Sequence, residues 1–255
     1  MLPIIEVFGK ALPLYAICAL IGILVAGFAF CIYVKRQGYD NNFAILFLFA
    51  VAGGVLLGGS LLFGLTNLDK FYLFGEDSGF WHAVTTVFGG SVFYGGLIGG
   101  CVTGLIFMKY AKLPSSVYMD GCAFWAPLFH AFARVGCFFA GCCYGIECDF
   151  GFAAHGNEYT AIGEVRRFPV QLLESLENLL VFGLIVFLMK KGVQKGRLFY
   201  IYLLSYSVLR FGNEFLRGDE IRGFIFGIST SQFISILIFI LSLSLLWHTN
   251  LKKKN

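Results

Sequence analysis

Two stretches of this chain carry charged and reactive side chains where apolar ones would be expected. The first, residues 206–217, places Tyr206, Arg210, Asn213, Glu214 and Arg217 inside an otherwise apolar run. Read as a helix, that spacing puts all five on one face. An arginine within a membrane span costs about 2.5–3.5 kcal/mol unless it faces protein, water or an anion. Its planar fork donates parallel hydrogen bonds that match a phosphate. Arg210 with Glu214 also reads as an i,i+4 pair, so a purely stabilising role and an anion site are both open.

The second stretch, residues 130–145 (HAFARVGCFFAGCCYG), holds a further intramembrane cation, Arg134, with His130 one turn earlier on the same face. Gly136, Gly141 and Gly145 follow, and the spacing predicts a break in the helix that frees backbone amides for a ligand. Two arginines on different helices point to one shared phosphate site, with Arg134 and Arg210 as its cations and Tyr206 beside them. His130 is the candidate base, with Tyr94 or Glu214 as the next choices.

Three further features surround these. The glycines of GGSVFYGGLIGG, residues 89–100, suit close helix packing and equally suit approach to a lipid headgroup. In VRRFPVQLLESLE, Pro169 fits a first helical turn, which sets Gln171 and Glu174 about one turn inside a span. Arg166 and Arg167 read as interfacial side chains that snorkel.

Eight cysteines are present. Cys18, Cys31, Cys101 and Cys122 fall in apolar runs and read as small apolar residues. Cys137, Cys142, Cys143 and Cys148 follow a C-x4-C-C-x4-C pattern, which is not the paired C-x2-C spacing of a zinc ribbon. No metal is assigned to them. A disulfide in an oxidising exterior and free thiols are both consistent with the pattern, as is a thiolate stabilised by Arg134.

The elements that must position these groups are membrane spans. Of 255 residues, 58% are hydrophobic and only 13% charged, and the mean hydropathy is +0.79. A soluble domain of this size has too little interior for that much apolar surface. The pattern predicts an all-α polytopic membrane protein of about seven transmembrane helices. They fall near 11–34, 43–65, 88–108, 114–133, 169–189, 198–216 and 229–248. The start lacks a basic head and a small-residue cleavage site, so the first run reads as a retained span. Lys35/Arg36, Lys109/Lys112, Lys190/Lys191/Lys195/Arg197 and Lys252/Lys253/Lys254 follow spans one, three, five and seven. The positive-inside rule then sets the N-terminus outside and the C-terminus in the cytoplasm. The whole of 1–255 reads as a single transmembrane domain, with a short outward-facing segment at about 145–168. The net charge of +4 follows from this topology and is no argument for nucleic acid. No internal repeat of the transporter kind is visible.

Taken in order, the motifs resemble those of the prolipoprotein diacylglyceryl transferase family. They are Ala133-Arg134-x-Gly136-x-Phe138-x-x-Gly141-x-x-Tyr144-Gly145, then Arg167-Phe168-Pro169-x-Gln171-Leu172-x-Glu174. Tyr206-x-x-x-Arg210-Phe211-x-x-Glu214-Phe215-x-Arg217 and Ser229-x-x-Gln232 complete the set. The similarity covers most of the chain and is strongest from 88 to 235. The resemblance implies an enzyme of the bacterial cytoplasmic membrane, multi-pass, with its active site facing outward and no cofactor. Phosphatidylglycerol would donate its diacylglyceryl group to the lipobox cysteine thiol in the signal peptide of a prolipoprotein. That transfer forms a thioether and releases glycerol phosphate.

Arg134, Gly136, Gly141, Gly145, Tyr206, Arg210, Glu214 and Arg217 match family positions, and Tyr15 matches a first-span tyrosine. Tyr15, Tyr94, Gly95, Gly96, Gly136, Cys137, Gly141, Cys142, Gly145, Gln171, Glu174, Glu214 and Arg217 are the expected substrate-binding set. The chain departs from the family pattern at Cys137 and Ala140, where the signature has Asn, and at Cys142, where it has Glu. Tyr94-Gly95-Gly96 stands where the family has His-Gly-Gly. Alternative readings are a paralogue that moves a phosphatidylglycerol-derived group to another acceptor and a non-enzymatic lipid-binding or transport protein.

Overall fold

The computed structural model describes residues 4–7, 10–68, 85–153, 165–193, 195–219 and 223–251. Among them, seven helices of 16 residues or more follow one another. They are α1 (Leu14–Arg36), α2 (Asn41–Thr66), α3 (Phe93–Tyr110), α4 (Ser115–Ala140), α5 (Val170–Lys190), α6 (Leu198–Asn213) and α7 (Thr230–Leu251). Each coincides with an apolar run of the sequence. Five of them, α1, α2, α4, α5 and α7, are long and apolar enough to cross a membrane. The exceptions are α3 and α6. At 16 residues α6 extends only about 24 Å, short of a hydrocarbon core of about 30 Å. The chain then tightens into a 3-10 turn, Glu214–Leu216, so the predicted span to 216 closes in a different helical form.

Three short antiparallel hairpins accompany the helices: β1 (Ile4–Val7) with β2 (Lys10–Pro13), β3 (Glu147–Ala153) with β4 (Arg166–Arg167), and β5 (Phe224–Ile225) with β6 (Ile228–Ser229). The all-α expectation did not include them. They pair residues in the predicted connections and at the edges of the predicted spans.

The chain divides into two compact units, residues 34–118 and the remainder. In the 34–118 unit, α2 and α3 lie backbone to backbone. A Cβ at Gly95 would strike the Gly58 carbonyl, and one at Gly99 would strike that of Gly54. Gly96 faces Val55 in the same seam. These glycines therefore serve helix packing, the first of the two roles their spacing allowed. Tyr94 is 45% exposed on the same helix. Residues 69–84 of the predicted outward connection 66–87 lie outside the described residues, as does the basic tail Lys252/Lys253/Lys254.

In the other unit, α4 is the organising element. Asp120, fully buried, accepts hydrogen bonds from the backbone N–H groups of Gly196 (2.6 Å) and Phe199 (3.0 Å). A side chain of α4 thus satisfies orphan donors at the start of α6. At its far end α4 runs through Gly136 without a break. Gly136 packs against Tyr15 and Cys18 of α1. The break comes at Gly141, the second glycine of the series that predicted it, whose φ of 71° ends the helix. A helix tolerates Gly136 because the gain in close packing offsets its propensity cost of about 1 kcal/mol.

The Ser-x-x-Gln motif is a capping box at the start of α7. The Ser229 N–H donates to Gln232 Oε1 and the Gln232 N–H donates to Ser229 Oγ, both at 3.1 Å.

Candidate active site

Residues 144–146 leave α4 and knit together three otherwise separate segments. Phe168 N donates to Ile146 O, Ile146 N to Leu216 O, and Gly218 N to Tyr144 O. Gly145 lies where these strands meet, and a Cβ there would collide with the Phe168 carbonyl. That knot holds the end of α4, the start of α5 and the end of α6 in one place.

The knot also changes the role of Arg166 and Arg167. They form β4 rather than snorkelling. Arg167 lies over the Tyr144 ring at 4.4 Å, contacts Glu147 at 3.3 Å and donates to the Gly145 carbonyl. Arg166 donates to Asp149 O. Their guanidiniums are used inside the hairpin because the backbone pairing of 166–167 with 147–153 brings those acceptors to them.

Above the knot three arginines converge among carboxylates. Arg134 of α4 meets Glu174 of α5, with Nε 2.5 Å from Oε2. Arg217 reaches the other oxygen of the same carboxylate at 3.4 Å and is held by Asp219 at 2.9 and 3.0 Å. Arg210 of α6 contacts Glu214 at 2.8 Å and donates from Nη2 to Ser231 Oγ of α7 at 2.8 Å. Glu174 is 4% exposed and Gln171 1%. Such burial is stable only because the charges are paired. Gln171 donates to the Cys142 carbonyl at 2.8 Å, which fixes the chain just after the helix break.

One small cavity joins these groups. His130, Arg134, Glu174, Glu177, Asn178, Tyr206, Leu209, Arg210 and Asn213 line it. As it stands it admits roughly one water molecule. Arg134 and Arg210, on different helices, therefore face one common space. Several atoms on its wall are buried and not aligned with any hydrogen-bond partner, among them Arg134 Nε, Arg210 Nη1 and Glu174 Oε2. Both arginine atoms lie within 2.8 Å of a carboxylate oxygen, so the cavity wall is lined by close ion pairs. The His130 ring rests against the Tyr206 ring, centroids 5.4 Å apart.

The offsets of 206–217 placed Tyr206 and Arg210 correctly, but the single face does not persist. Helix α6 ends at Asn213, and Arg217 is extended, with ψ near 137°. Arg217 reaches the site through the bridge with Gly145 instead of by helical phase. Asn213 turns to Glu177, whose Oε2 accepts from its amide at 2.5 Å. Glu177, Asn178, Ser231 and Asp219 were not singled out from the sequence. Glu177 sits three residues beyond Glu174 on α5, a helical spacing that offered a signal. Ser231 and Asp219 offered none, since each joins an arginine only through folding.

Cys137, Cys142 and Cys143 come together beyond Arg134. Their three sulfur atoms lie within 4.8 Å of one another, and the Cys142 thiol donates to the Cys137 carbonyl at 3.7 Å. Hydrogen bonds from the thiols of Cys137 and Cys142 are the main cause that pushes the Cys143 thiol below its ordinary pKa. The guanidiniums of Arg134 and Arg217 add to that effect. Cys148, on β3, stands apart from the cluster. All eight cysteines are free thiols. Tyr15 of α1 is 44% exposed and interacts electrostatically with the cluster and with Arg134. Tyr94, Gly95 and Gly96 belong to the other compact unit.

Apolar membrane-length helices enclosing buried arginines paired with carboxylates define a multi-pass membrane protein. The chain belongs to the family described as prolipoprotein diacylglyceryl transferase, which it matches over residues 3–248. It is 30% identical to the phosphatidylglycerol–prolipoprotein diacylglyceryl transferase of Clostridium tetani, over 93% of each chain. It is 32% identical to the protein named phosphatidylglycerol–prolipoprotein diacylglyceryl transferase 2 in Clostridium perfringens, over 92% of this chain and 90% of that one. The phosphatidylglycerol–prolipoprotein diacylglyceryl transferase of Clostridium novyi is 29% identical over 98% of this chain and 96% of that one.

Proposed function

We propose that this protein transfers the diacylglyceryl group of phosphatidylglycerol to the lipobox cysteine of prolipoproteins, with the arginine cavity as its active centre. The observation that carries the reading is the convergence of Arg134 and Arg210 on one cavity, each paired there with a carboxylate. The headgroup phosphate enters between these guanidiniums and takes over contacts that Glu174 and Glu214 hold in its absence. The acceptor thiolate attacks the glycerol carbon that bears the phosphate ester. A carbon–sulfur bond forms, the carbon–oxygen bond breaks, and glycerol phosphate leaves with the electron pair. The fixed cations stabilise charge as it accumulates on the departing phosphate, without reorganisation during the reaction.

The thiol proton must pass to a base. His130 faces the same cavity against Tyr206 and is the proposed acceptor, ahead of Glu214. Gln171, through the Cys142 carbonyl, and Arg217, through Glu174, hold the chain around the exit of α4 beside that cavity. The basic residues after α1, α3 and α5 support a cytoplasmic location for those connections. The chain then spans the bacterial cell membrane seven times, with the knot at 144–146 and the active centre facing outward.

The test is transfer of labelled diacylglycerol from phosphatidylglycerol to a lipobox peptide by the protein in vesicles. Arg134→Ala and Arg210→Ala each abolish transfer; undiminished transfer by either refutes the phosphate clamp. Rescue of lipoprotein mobility in a transferase-depleted strain tests the acceptor independently.

A further inference from the structure

The cluster of Cys137, Cys142 and Cys143 has a geometry that the transfer chemistry does not use. Cys137 lies in the last turn of α4, Gly141 ends the helix with φ at 71°, and Cys143 follows with φ at 57°. A non-glycine residue in that left-handed region is uncommon, and the cost of such a conformation is of order 1–3 kcal/mol. Its consequence here is that the chain doubles back. An i,i+5,i+6 set, which a continuous helix would spread around its axis, becomes three sulfurs within 4.8 Å of one another.

Metal–sulfur bonds of about 2.3 Å require three trigonal ligands to lie about 4.0 Å apart. The cluster meets that requirement with shifts of less than about 1 Å, which half-buried side chains at the end of a helix can supply. Among the described residues no fourth histidine, cysteine or acidic ligand joins the group. A set of three soft ligands without a fourth disfavours tetrahedral structural zinc, which takes four. It favours an ion content with three thiolates; of the metals that thiolate sulfur selects, structural zinc and iron–sulfur clusters take four protein ligands, which leaves cuprous copper.

Charge supports the same choice. On binding, the thiols release their protons to solvent. Three thiolates around a monovalent ion leave a net charge of −2, and the guanidiniums of Arg134 and Arg217 both act on this cluster. We propose that Cys137, Cys142 and Cys143 form a binding site for a single soft, thiophilic monovalent ion of the cuprous type, held by three sulfurs. The site does not depend on the transferase reading, because its ligands are side chains of this chain alone.

The test titrates the reduced, detergent-solubilised full-length protein anaerobically with Cu(I) in competition with a chromophoric cuprous chelator. One equivalent per chain is expected to be withdrawn from the chelator. The Cys137→Ser, Cys142→Ser and Cys143→Ser variants each lose that equivalent, while Cys148→Ser and Cys101→Ser retain it. A second measurement needs no variant. Alkylation of the wild-type protein, read by mass spectrometry with and without Cu(I), should show protection of Cys137, Cys142 and Cys143 and no change at Cys148. Equal labelling of the three with and without the ion overturns the proposal, as does an equivalent that survives in the triple serine variant.

Discussion

Arg210 offers the sharpest test of the phosphate clamp, provided its structural role is separated from its catalytic one. Its Nη1 contacts Glu214 at 2.8 Å and its Nη2 donates to Ser231 at 2.8 Å. The two charged side chains are 14% and 9% exposed. Arg210→Ala therefore removes a buried cation from a buried carboxylate, a change that costs about 3–5 kcal/mol of stability. A loss of activity in that variant alone could reflect a damaged fold. Glu214→Ala removes the carboxylate, and the double variant Arg210→Ala/Glu214→Ala removes both charges together, which relieves that penalty.

The useful ratio is kcat/KM of Glu214→Ala over that of the double variant, measured as labelled diacylglyceryl transfer in vesicles. Loss of one preorganised donor to a developing oxyanion costs about 10²–10³-fold, or about 2.7–4 kcal/mol. A drop in that range is expected, with folded yield equal between the two proteins. If the double variant keeps transfer within about threefold of Glu214→Ala, a difference of only about 0.6 kcal/mol, the arginine is structural and the clamp mechanism is wrong.

Glu174→Gln should weaken the hold on Arg134 and Arg217 at once, lowering both folded yield and transfer; a variant as active and as thermally stable as the parent would contradict its bridging role. Asp120→Ala removes the acceptor for Gly196 and Phe199, which should cost about 0.5–2 kcal/mol by analogy with lost helix caps and speed hydrogen exchange at the start of α6. Gly99→Val should abolish accumulation of folded protein, since its Cβ would meet the Gly54 backbone, whereas Gly53→Ala, with open space around it, should be tolerated. Cys143, with its pKa lowered, holds more thiolate at neutral pH than Cys142, whose pKa is raised by its hydrogen bond to Cys143 and by burial, against the lowering hydrogen bond from Cys137. Iodoacetamide at pH 7 should therefore modify Cys143 first, and its rate should stop rising with pH earlier; the reverse order would refute the assignment.

Much of this architecture was legible before any coordinates. Hydropathy located the seven long helices of the described residues, five of which are long and apolar enough to cross a membrane, because such a helix is defined by the composition of one continuous segment. Tyr206, Arg210, Arg134 and His130 were legible for a similar reason. A charge in an apolar run is costly enough to imply a purpose, and i,i+4 spacing fixes a shared face. The capping role of Ser229 and Gln232 is likewise local, although its meaning needed the helix start.

Folding alone decided the rest. Glu174 joins Arg134 to Arg217 across 40 and 43 positions, and no periodicity links residues on three segments. The route of Arg217 to the site depends on the pairing of 145 with 217 rather than on helical phase. The three sulfurs meet because the backbone turns left-handed at Gly141 and Cys143, so a spacing that suggested no metal set became a compact one. Side-chain types and their order along one helix are properties of the chain. Which carboxylate meets which guanidinium is a property of packing, because the energy that selects the pair exists only once both are buried together.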